Sequence, residues 1–307
     1  MMGNIKKLHS ISLLGGMYYY TPIFTLFLLQ KNINLSTIVA LDAVFSISMM
    51  LSVVPTGILA DKFGQKLAIQ IGLFIDAISM FLLLLIQNPL GLALWGAARG
   101  LSVGFRHGSD EALLYDTYVN EHGSAEGYSK SYGKLIANDV LGFVIAVTIS
   151  GFAVQFFGQS SYIPLIVITG CSAMVALIFA FTLSPQKHVS KEKQPQRIFE
   201  HFKSGFKNIK KSHVILALMF AGLLTLNGEY FLRRTYSPFF QSMAVPALFL
   251  GVALSVGKLL NFIVIKNMHR VEKHLTVDRL FLGLGLILGT SFIIFALTTS
   301  VWALVIV

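Results

Sequence analysis

The chain has 307 residues, of which 55% are hydrophobic and only 12% are charged, whereas roughly 25% of residues are charged in soluble proteins. This composition excludes an ordinary soluble domain and indicates a polytopic membrane protein. The formal net charge of +10 would also suit a nucleic-acid-binding protein, and the distribution of the charges decides between the two classes. The single cysteine, Cys171, excludes a disulfide framework and a cysteine metal site.

Nine apolar stretches are long enough to cross a bilayer as helices, which takes about 20 residues each. They lie near residues 10–30, 36–60, 67–87, 90–112, 135–156, 161–183, 212–231, 244–265 and 279–297. The uncharged run between Asp139 and Lys187 would be about 70 Å long as one helix, so a break is predicted at 157–161. Residues 298–300 are typical of a turn, and 301–307 are then expected to begin a tenth helix. One long ninth helix is the alternative.

A charged turn joins the second and third stretches. Residues 57–66 read GILADKFGQK, in which an acid, a turn glycine and two cations follow a helix end with small residues. This run resembles the loop between the second and third helices of the major facilitator superfamily, whose pattern is Gly-x-Leu-Ala-Asp-Arg-x-Gly-Arg-Lys. The matching positions are Gly57, Leu59, Ala60, Asp61, Gly64 and Lys66, whereas lysine and glutamine replace the two arginines. We expect Asp61 to cap the N-terminus of the third helix.

The resemblance implies an all-α membrane fold of two helix bundles. Residues 1–184 would form the N-terminal six-helix bundle, and 212–307 an incomplete C-terminal bundle. Between them, 185–211 is a polar linker with apolar residues at helical spacing among lysines. This pattern predicts an amphipathic basic helix on the inner leaflet, with a solvated connector as the alternative. Twelve spans need roughly 390 residues at about 20 apolar residues per span plus loops. We therefore expect a C-terminally truncated bacterial member that does not transport by itself.

The cations are distributed very unevenly along the chain. With the N-terminus inside, 19 of the 24 lysines and arginines lie in cytoplasmic segments. The outer loops hold three, Lys31, Arg233 and Arg234, and the membrane holds two, Arg99 and Lys258. This bias predicts a cytoplasmic N-terminus in a bacterial inner membrane. It also explains the net charge through the lipid bilayer, so we expect no nucleic-acid partner.

Three glycine motifs are present, and none of them indicates catalysis or nucleotide binding. Gly96, Gly100, Gly104 and Gly108 recur every fourth residue, which predicts a smooth ridge for close helix packing. Residues 100–104 formally match a nucleophile elbow but lie in the middle of a predicted helix, where that turn cannot form. Residues 257–258 lack the spacing of a phosphate loop. We expect no enzymatic activity, no cofactor and no metal.

Ionisable residues inside predicted spans are costly, at about 2.5–3.5 kcal/mol each on insertion scales, and are functional candidates for that reason. They are Asp42, Asp76, Arg99, Asp139, Glu229 and Lys258. The resemblance implies that Arg99, on the fourth helix, lines the central cavity, with a structural ion pair as the alternative. For Asp139, near the inner surface, neutralisation by Lys134 or snorkelling is expected. Lys258 is a candidate partner of Glu229.

The coupling candidates are Asp42, Glu229 and Asp76. Asp42 and Glu229 lie in the outer thirds of their spans and would carry protons, act as gates or form structural pairs. A buried pair is the favoured role of Asp76. The first helix lines the cavity in the family, so its tyrosines Tyr18, Tyr19 and Tyr20 would contact substrate or serve packing.

The function implied by the resemblance is secondary active transport by alternating access. The substrate would be a small molecule, and protons would be the coupling ion. A truncated, non-transporting membrane protein that binds or senses a ligand is the alternative.

Overall fold

The computed structural model describes residues 3–184, 233–243 and 245–271, together with a few separate helical positions between 283 and 297. Most of these residues are helical, and none of them is in a strand. The helices are α1 Asn4–Gly15, α2 Phe24–Gln30, α3 Leu35–Phe63, α4 Gln65–Leu85, α5 Pro89–Arg106, α6 Ser109–His122, α7 Tyr128–Phe157, α8 Tyr162–Phe181 and α9 Ala247–Val271. Residues 233–242 are also helical. Among the described residues, the helical stretches long and apolar enough to span a membrane are Leu35–Phe63, Gln65–Leu85 and Tyr128–Phe181, and the last of these comprises α7 and α8.

The chain divides into two compact units. One contains residues 1–189 and 234–266, and the other contains 190–233 and 267–307. The first unit thus joins α1 to α8 with most of α9. The predicted linker at 185–211, the span at 212–231 and the tenth helix fall outside the described residues, and the predicted division at 184 and 211 stays a prediction.

The first predicted span, 10–30, is not one continuous helix. α1 ends at Gly15, residues 16–20 are not helical, a 3-10 turn covers Thr21–Ile23, and α2 follows. Two local features explain the interruption. A Cβ atom on Gly16 would lie 3.1 Å from the Cα atom of Asp139 on α7, so α1 passes very close to that helix. Pro22 has no amide hydrogen to continue a helical ladder.

The fourth predicted span also ends earlier than expected, because glycine conformation interrupts it. α5 ends at Arg106, Gly108 adopts a φ of 81°, and the polar helix α6 begins at Ser109. A positive φ is easily adopted only by glycine, so Gly108 is a helix breaker rather than the fourth member of the ridge. The predicted break at 157–161 is present as a 3-10 turn starting at Gly158, whose φ is 56°.

The glycine ridge of α5 packs directly on α3. The ridge consists of Gly96, Gly100 and Gly104, where an added Cβ atom would collide with α3. The close approach lets the Ser48 hydroxyl donate to the Ala97 carbonyl at 2.7 Å and the Thr56 hydroxyl to the Gly104 carbonyl at 2.8 Å. Contacts advance along both helices together, so α3 and α5 run parallel. α4 packs against α5 and α8, and α1 packs against α7 and α8.

Candidate functional site

A cavity of about 270 Å³ lies between α1, α4, α5, α6 and α7, beside the non-helical connection that follows α1. Its wall is unusually rich in charge for a membrane-spanning bundle. The charged lining residues are Asp76, Arg99, Arg106, Asp110, Glu111 and Asp139. Because charges in hydrocarbon are expensive, their concentration around one cavity marks it as the candidate site.

Arg99 and Asp76 form a buried ion pair that links α5 to α4. The two side chains are only 8% and 3% exposed. The guanidinium carbon of Arg99 also lies 5.5 Å from the centre of the Tyr18 ring, within the range of a cation–π contact. The Arg99 side chain thus lines this cavity and is also paired with Asp76, and its role in solute binding stays a prediction. Removing one partner of such a pair generally costs about 3–5 kcal/mol.

Arg106 is a site residue that the sequence analysis missed, since it assigned this cation to a cytoplasmic segment. Its Nη2 lies 3.3 Å from the Asp110 carboxylate. Its side chain occupies a slot that two glycines on other helices leave open. A Cβ atom added to Gly15 would lie 3.1 Å from the Arg106 guanidinium, and a Cβ atom added to Gly72 would lie 2.6 Å from the Arg106 Cγ. The i,i+4 spacing to Asp110 was visible in the sequence, but the slot depends on tertiary packing.

Asp139 also has a different environment from the one expected. Its carboxylate lines the cavity and interacts electrostatically with Arg106. Within the described part of the chain, no hydrogen bond or ion pair to this carboxylate is present. The expected neutralisation by Lys134 is therefore not present, because the α7 carboxylate faces the cavity.

The three tyrosines after α1 have distinct environments. Tyr18 lines the cavity, and its ring meets that of Tyr20 edge-on at a centroid distance of 6.2 Å. Tyr19 is packed in the hydrophobic core, and its backbone carbonyl accepts a hydrogen bond from the Ser150 hydroxyl. The geometry thus brings Tyr18, and not Tyr19, to the cavity wall.

Asp42 forms a second buried ion pair, with Arg234. Arg234 donates from Nη2 to Oδ1 at 2.6 Å and from Nε to Oδ2 at 3.0 Å. The two side chains are 6% and 14% exposed. The guanidinium carbon lies 4.2 Å from the centre of the Phe24 ring. This pair joins residues 192 positions apart, so no local pattern could have predicted it.

The rings between the two ion pairs form an aromatic ladder of Tyr18, Tyr20, Trp95 and Phe24. Tyr20 contacts Trp95 edge-on at 6.4 Å and Phe24 at 5.6 Å, and Phe24 stacks on Trp95 at 5.2 Å. Arg99 lies over the first ring of the ladder and Arg234 over the last. The ladder thus connects the cavity to the Asp42–Arg234 pair through continuous packing.

The remaining coupling candidate, Glu229, lies outside the described residues, and so does any pairing with Lys258. The ammonium of Lys258 lies 5.4 Å from the centre of the Phe143 ring. This contact joins α9 to α7 through a cation–π interaction.

The loop motif at 57–66 shapes the turn between α3 and α4. Gly64 has a φ of 96° and separates the two helices. Lys66 donates to the Phe181 carbonyl at 3.0 Å, which suits a cation at the C-terminal end of α8. An added Cβ atom on Gly57 would meet nothing within 4 Å. The expected cap by Asp61 is wrong, because Gly64 is the N-cap of α4 and no side chain caps it. The Asp61 carboxylate instead accepts a 3.4 Å hydrogen bond from Gln65.

The chain is similar to solved transporter structures over nearly its whole length. The match to the crystal structure of the nucleoside transporter NupG covers 99% of this chain and 76% of NupG, with a TM-score of 0.75 and 15% sequence identity. The match to the D-xylose-proton symporter covers 98% of this chain and 77% of the symporter, with a TM-score of 0.64 and 13% sequence identity. At these identities the likeness shows the fold.

A curated relative gives the same family. The chain is 20% identical over 274 residues to the uncharacterized MFS-type transporter YxaM of Bacillus subtilis (strain 168), covering 86% of this chain. The chain spans 66% of the length of that relative. The profile of the Major Facilitator Superfamily matches residues 9–307. The predicted all-helical membrane fold and the predicted superfamily agree with these findings. The chain belongs to the Major Facilitator Superfamily.

Proposed function

We propose that the protein is a secondary active transporter that moves a small solute across a bacterial inner membrane by alternating access. The observation that carries this proposal is the charged cavity inside the helical bundle. A purely structural protein has little reason to keep six ionisable side chains around about 270 Å³ of space within a membrane domain. A solute that is bound and released there gives those charges a function.

The two ends of the bundle differ in a way that suits alternating access. Because α3 and α5 run parallel, Asp42 near the start of α3 and Arg106 at the end of α5 lie toward opposite ends. The Asp42–Arg234 pair holds one end together, whereas the cavity extends toward the other. The charge bias of the sequence makes the cavity end cytoplasmic. We therefore describe this arrangement as closed outside and accessible from inside.

Proton coupling is the energy source we propose, with Asp42, Glu229 and Asp76 as the candidate carriers. A proton on Asp42 would remove the counter-charge of Arg234 and weaken the closed end. A proton on Asp76 would do the same to Arg99 at the cavity. Proton symport is named for one structural relative, the D-xylose-proton symporter, and small solutes are named for both solved relatives.

The experiment combines binding with flux. The purified protein would first be screened by thermal shift against nucleosides, pentoses and small metabolites. Any ligand found would then be tested for uptake into proteoliposomes driven by an imposed pH gradient, which also tests the expectation that these 307 residues do not transport by themselves. We expect ligand binding to be weakened by Arg99→Gln and pH-driven flux to be lost in the double variant Asp42→Asn, Glu229→Gln.

The competing function is a membrane protein that binds or senses a ligand without moving it. Binding without flux in sealed vesicles would favour that function over transport. Full pH-driven flux in the double variant would remove Asp42 and Glu229 as proton carriers.

A further inference from the structure

The charges on the cavity wall do not balance. Arg99 is neutralised by Asp76 and Arg106 is held by Asp110. The cavity has no other lysine or arginine among its described lining residues, but it has two further carboxylates, Glu111 and Asp139. With all carboxylates ionised, the wall therefore carries a surplus of two negative charges. His107 also lines the cavity and is exposed at its edge.

The hydrogen-bonding groups of the wall are unbalanced in the same sense, because most donors are already used. The Ser12 and Ser102 hydroxyls donate to backbone carbonyls of neighbouring helices at 2.7 and 2.8 Å. The Tyr132 hydroxyl donates to the Glu111 carboxylate at 3.0 Å. The Arg99 and Arg106 guanidiniums are both in ion pairs, and the buried Nε of Arg106 is a donor without a hydrogen-bond partner among the described residues.

Acceptors, by contrast, remain open. An ionised carboxylate only accepts hydrogen bonds and offers about four lone-pair sites. Asp139 is half-buried and has no hydrogen-bond partner among the described residues. One oxygen of Asp110 is buried and also without a partner. A ligand that fits this wall must therefore supply positive charge and hydrogen-bond donors.

We infer that the cavity binds a small organic cation, an amine, with the Asp139 carboxylate as its anchoring group. Two geometric features support an organic rather than a bare inorganic cation. The Tyr18 ring, over which the Arg99 guanidinium already lies, forms part of the wall, and aromatic rings attract organic cations. The volume of about 270 Å³ is slightly below the usual range for ligand pockets, about 300–1,000 Å³, and so suits a small molecule. The inference rests on the proposed function in that the cavity is taken as the solute site.

The test uses matched pairs of probes that differ in charge but hardly in shape. The pairs are butylamine with butanol, phenethylamine with phenethyl alcohol, and choline with dimethylbutanol, and sodium chloride is a separate probe. Thermal shift and calorimetry on the purified protein would measure binding of each. We expect at least one cation to stabilise the protein while its neutral partner does not. Loss of a charge-assisted hydrogen bond in Asp139→Asn should then weaken that binding by roughly ten- to a hundredfold.

Three further variants keep the result interpretable. Asp139→Glu retains the charge and should retain binding, which also covers the case in which Asp139→Asn does not fold. Glu126→Gln removes an exposed carboxylate that does not line the cavity, and should leave binding unchanged. Glu111→Gln should weaken binding less than Asp139→Asn, because the Glu111 carboxylate already accepts a hydrogen bond from the Tyr132 hydroxyl.

Three outcomes would overturn the inference. The first is an equal response to each cation and its neutral partner. The second is unchanged amine binding in Asp139→Asn. The third is stabilisation by sodium or by acid alone, which would assign the surplus charge to an inorganic ion or a proton. Amine binding without flux would instead contradict transport and leave the inference standing, whereas flux of a neutral solute with no amine binding would contradict the inference alone.

Discussion

The Asp42–Arg234 pair offers the sharpest test of the proposed mechanism, because it should hold one end of the bundle closed. Asp42→Asn leaves the Arg234 guanidinium, which is 14% exposed, without its counter-charge. Breaking one partner of a buried pair costs about 3–5 kcal/mol, and asparagine keeps one acceptor oxygen, so the lower end applies. At about 1.4 kcal/mol per factor of ten, the closed state should lose roughly a hundredfold in population relative to an open state in which water hydrates Arg234.

A cysteine at Ser237 would report this change. Ser237 is 2% exposed, and its hydroxyl donates to the Pro22 carbonyl at 2.9 Å on the same side of the bundle as the pair. In a Cys171→Ala background, a membrane-impermeant thiol reagent added outside should label Ser237→Cys slowly. The rate should rise strongly when Asp42→Asn is added, up to the roughly hundredfold limit set by the population shift.

The charge swap Asp42→Arg, Arg234→Asp is the matched control, since it restores opposite charges in the same place. We expect it to recover part of the slow labelling, whereas each single change does not. Equal labelling rates with and without Asp42→Asn would refute the idea that the pair holds this end closed.

Three smaller predictions follow from the same structure. Gly72→Ala should lower the stability of the folded protein by about 1–3 kcal/mol through overpacking, because the added Cβ atom would lie 2.6 Å from the Cγ atom of Arg106. Thermal melts would measure this loss. Gly133→Ala is the control, because no atom lies within 4 Å of the Cβ position at Gly133. Burial lowers the pKa of His9 below its ordinary 6.5, so the neutral ring stabilises the fold above that pH. This contribution is lost as the pH falls, and melts of His9→Gln should show less acid sensitivity, which an unchanged pH profile would contradict. Asp61→Asn should leave the melting temperature nearly unchanged, because Asp61 is exposed and its carboxylate accepts a 3.4 Å hydrogen bond from Gln65 rather than capping α4; a large drop in the melting temperature would contradict this.

Much of the architecture followed from local properties of the sequence. A helix that crosses a membrane needs a certain length of apolar residues, and that length is visible without any tertiary contact. The break near Gly158 and the turn at Gly64 were also predictable, since glycines beside polar residues end helices. The loop motif identified the family before any fold was known. What stayed approximate were helix ends: α1 stops at Gly15 and α5 at Arg106 because of close packing and backbone conformation.

The candidate site depended on the tertiary structure to a much greater degree. In a membrane bundle the lipid-facing and inward-facing sides are both apolar, so hydrophobic periodicity does not reveal which faces meet. On α3, for example, the apolar Met50 is 70% exposed while the charged Asp42 is 5% exposed. The sequence by itself determined which ionisable residues the spans contain. Only the packing of distant helices decided their partners: it pairs Asp42 with Arg234 and leaves Asp139 open to the cavity.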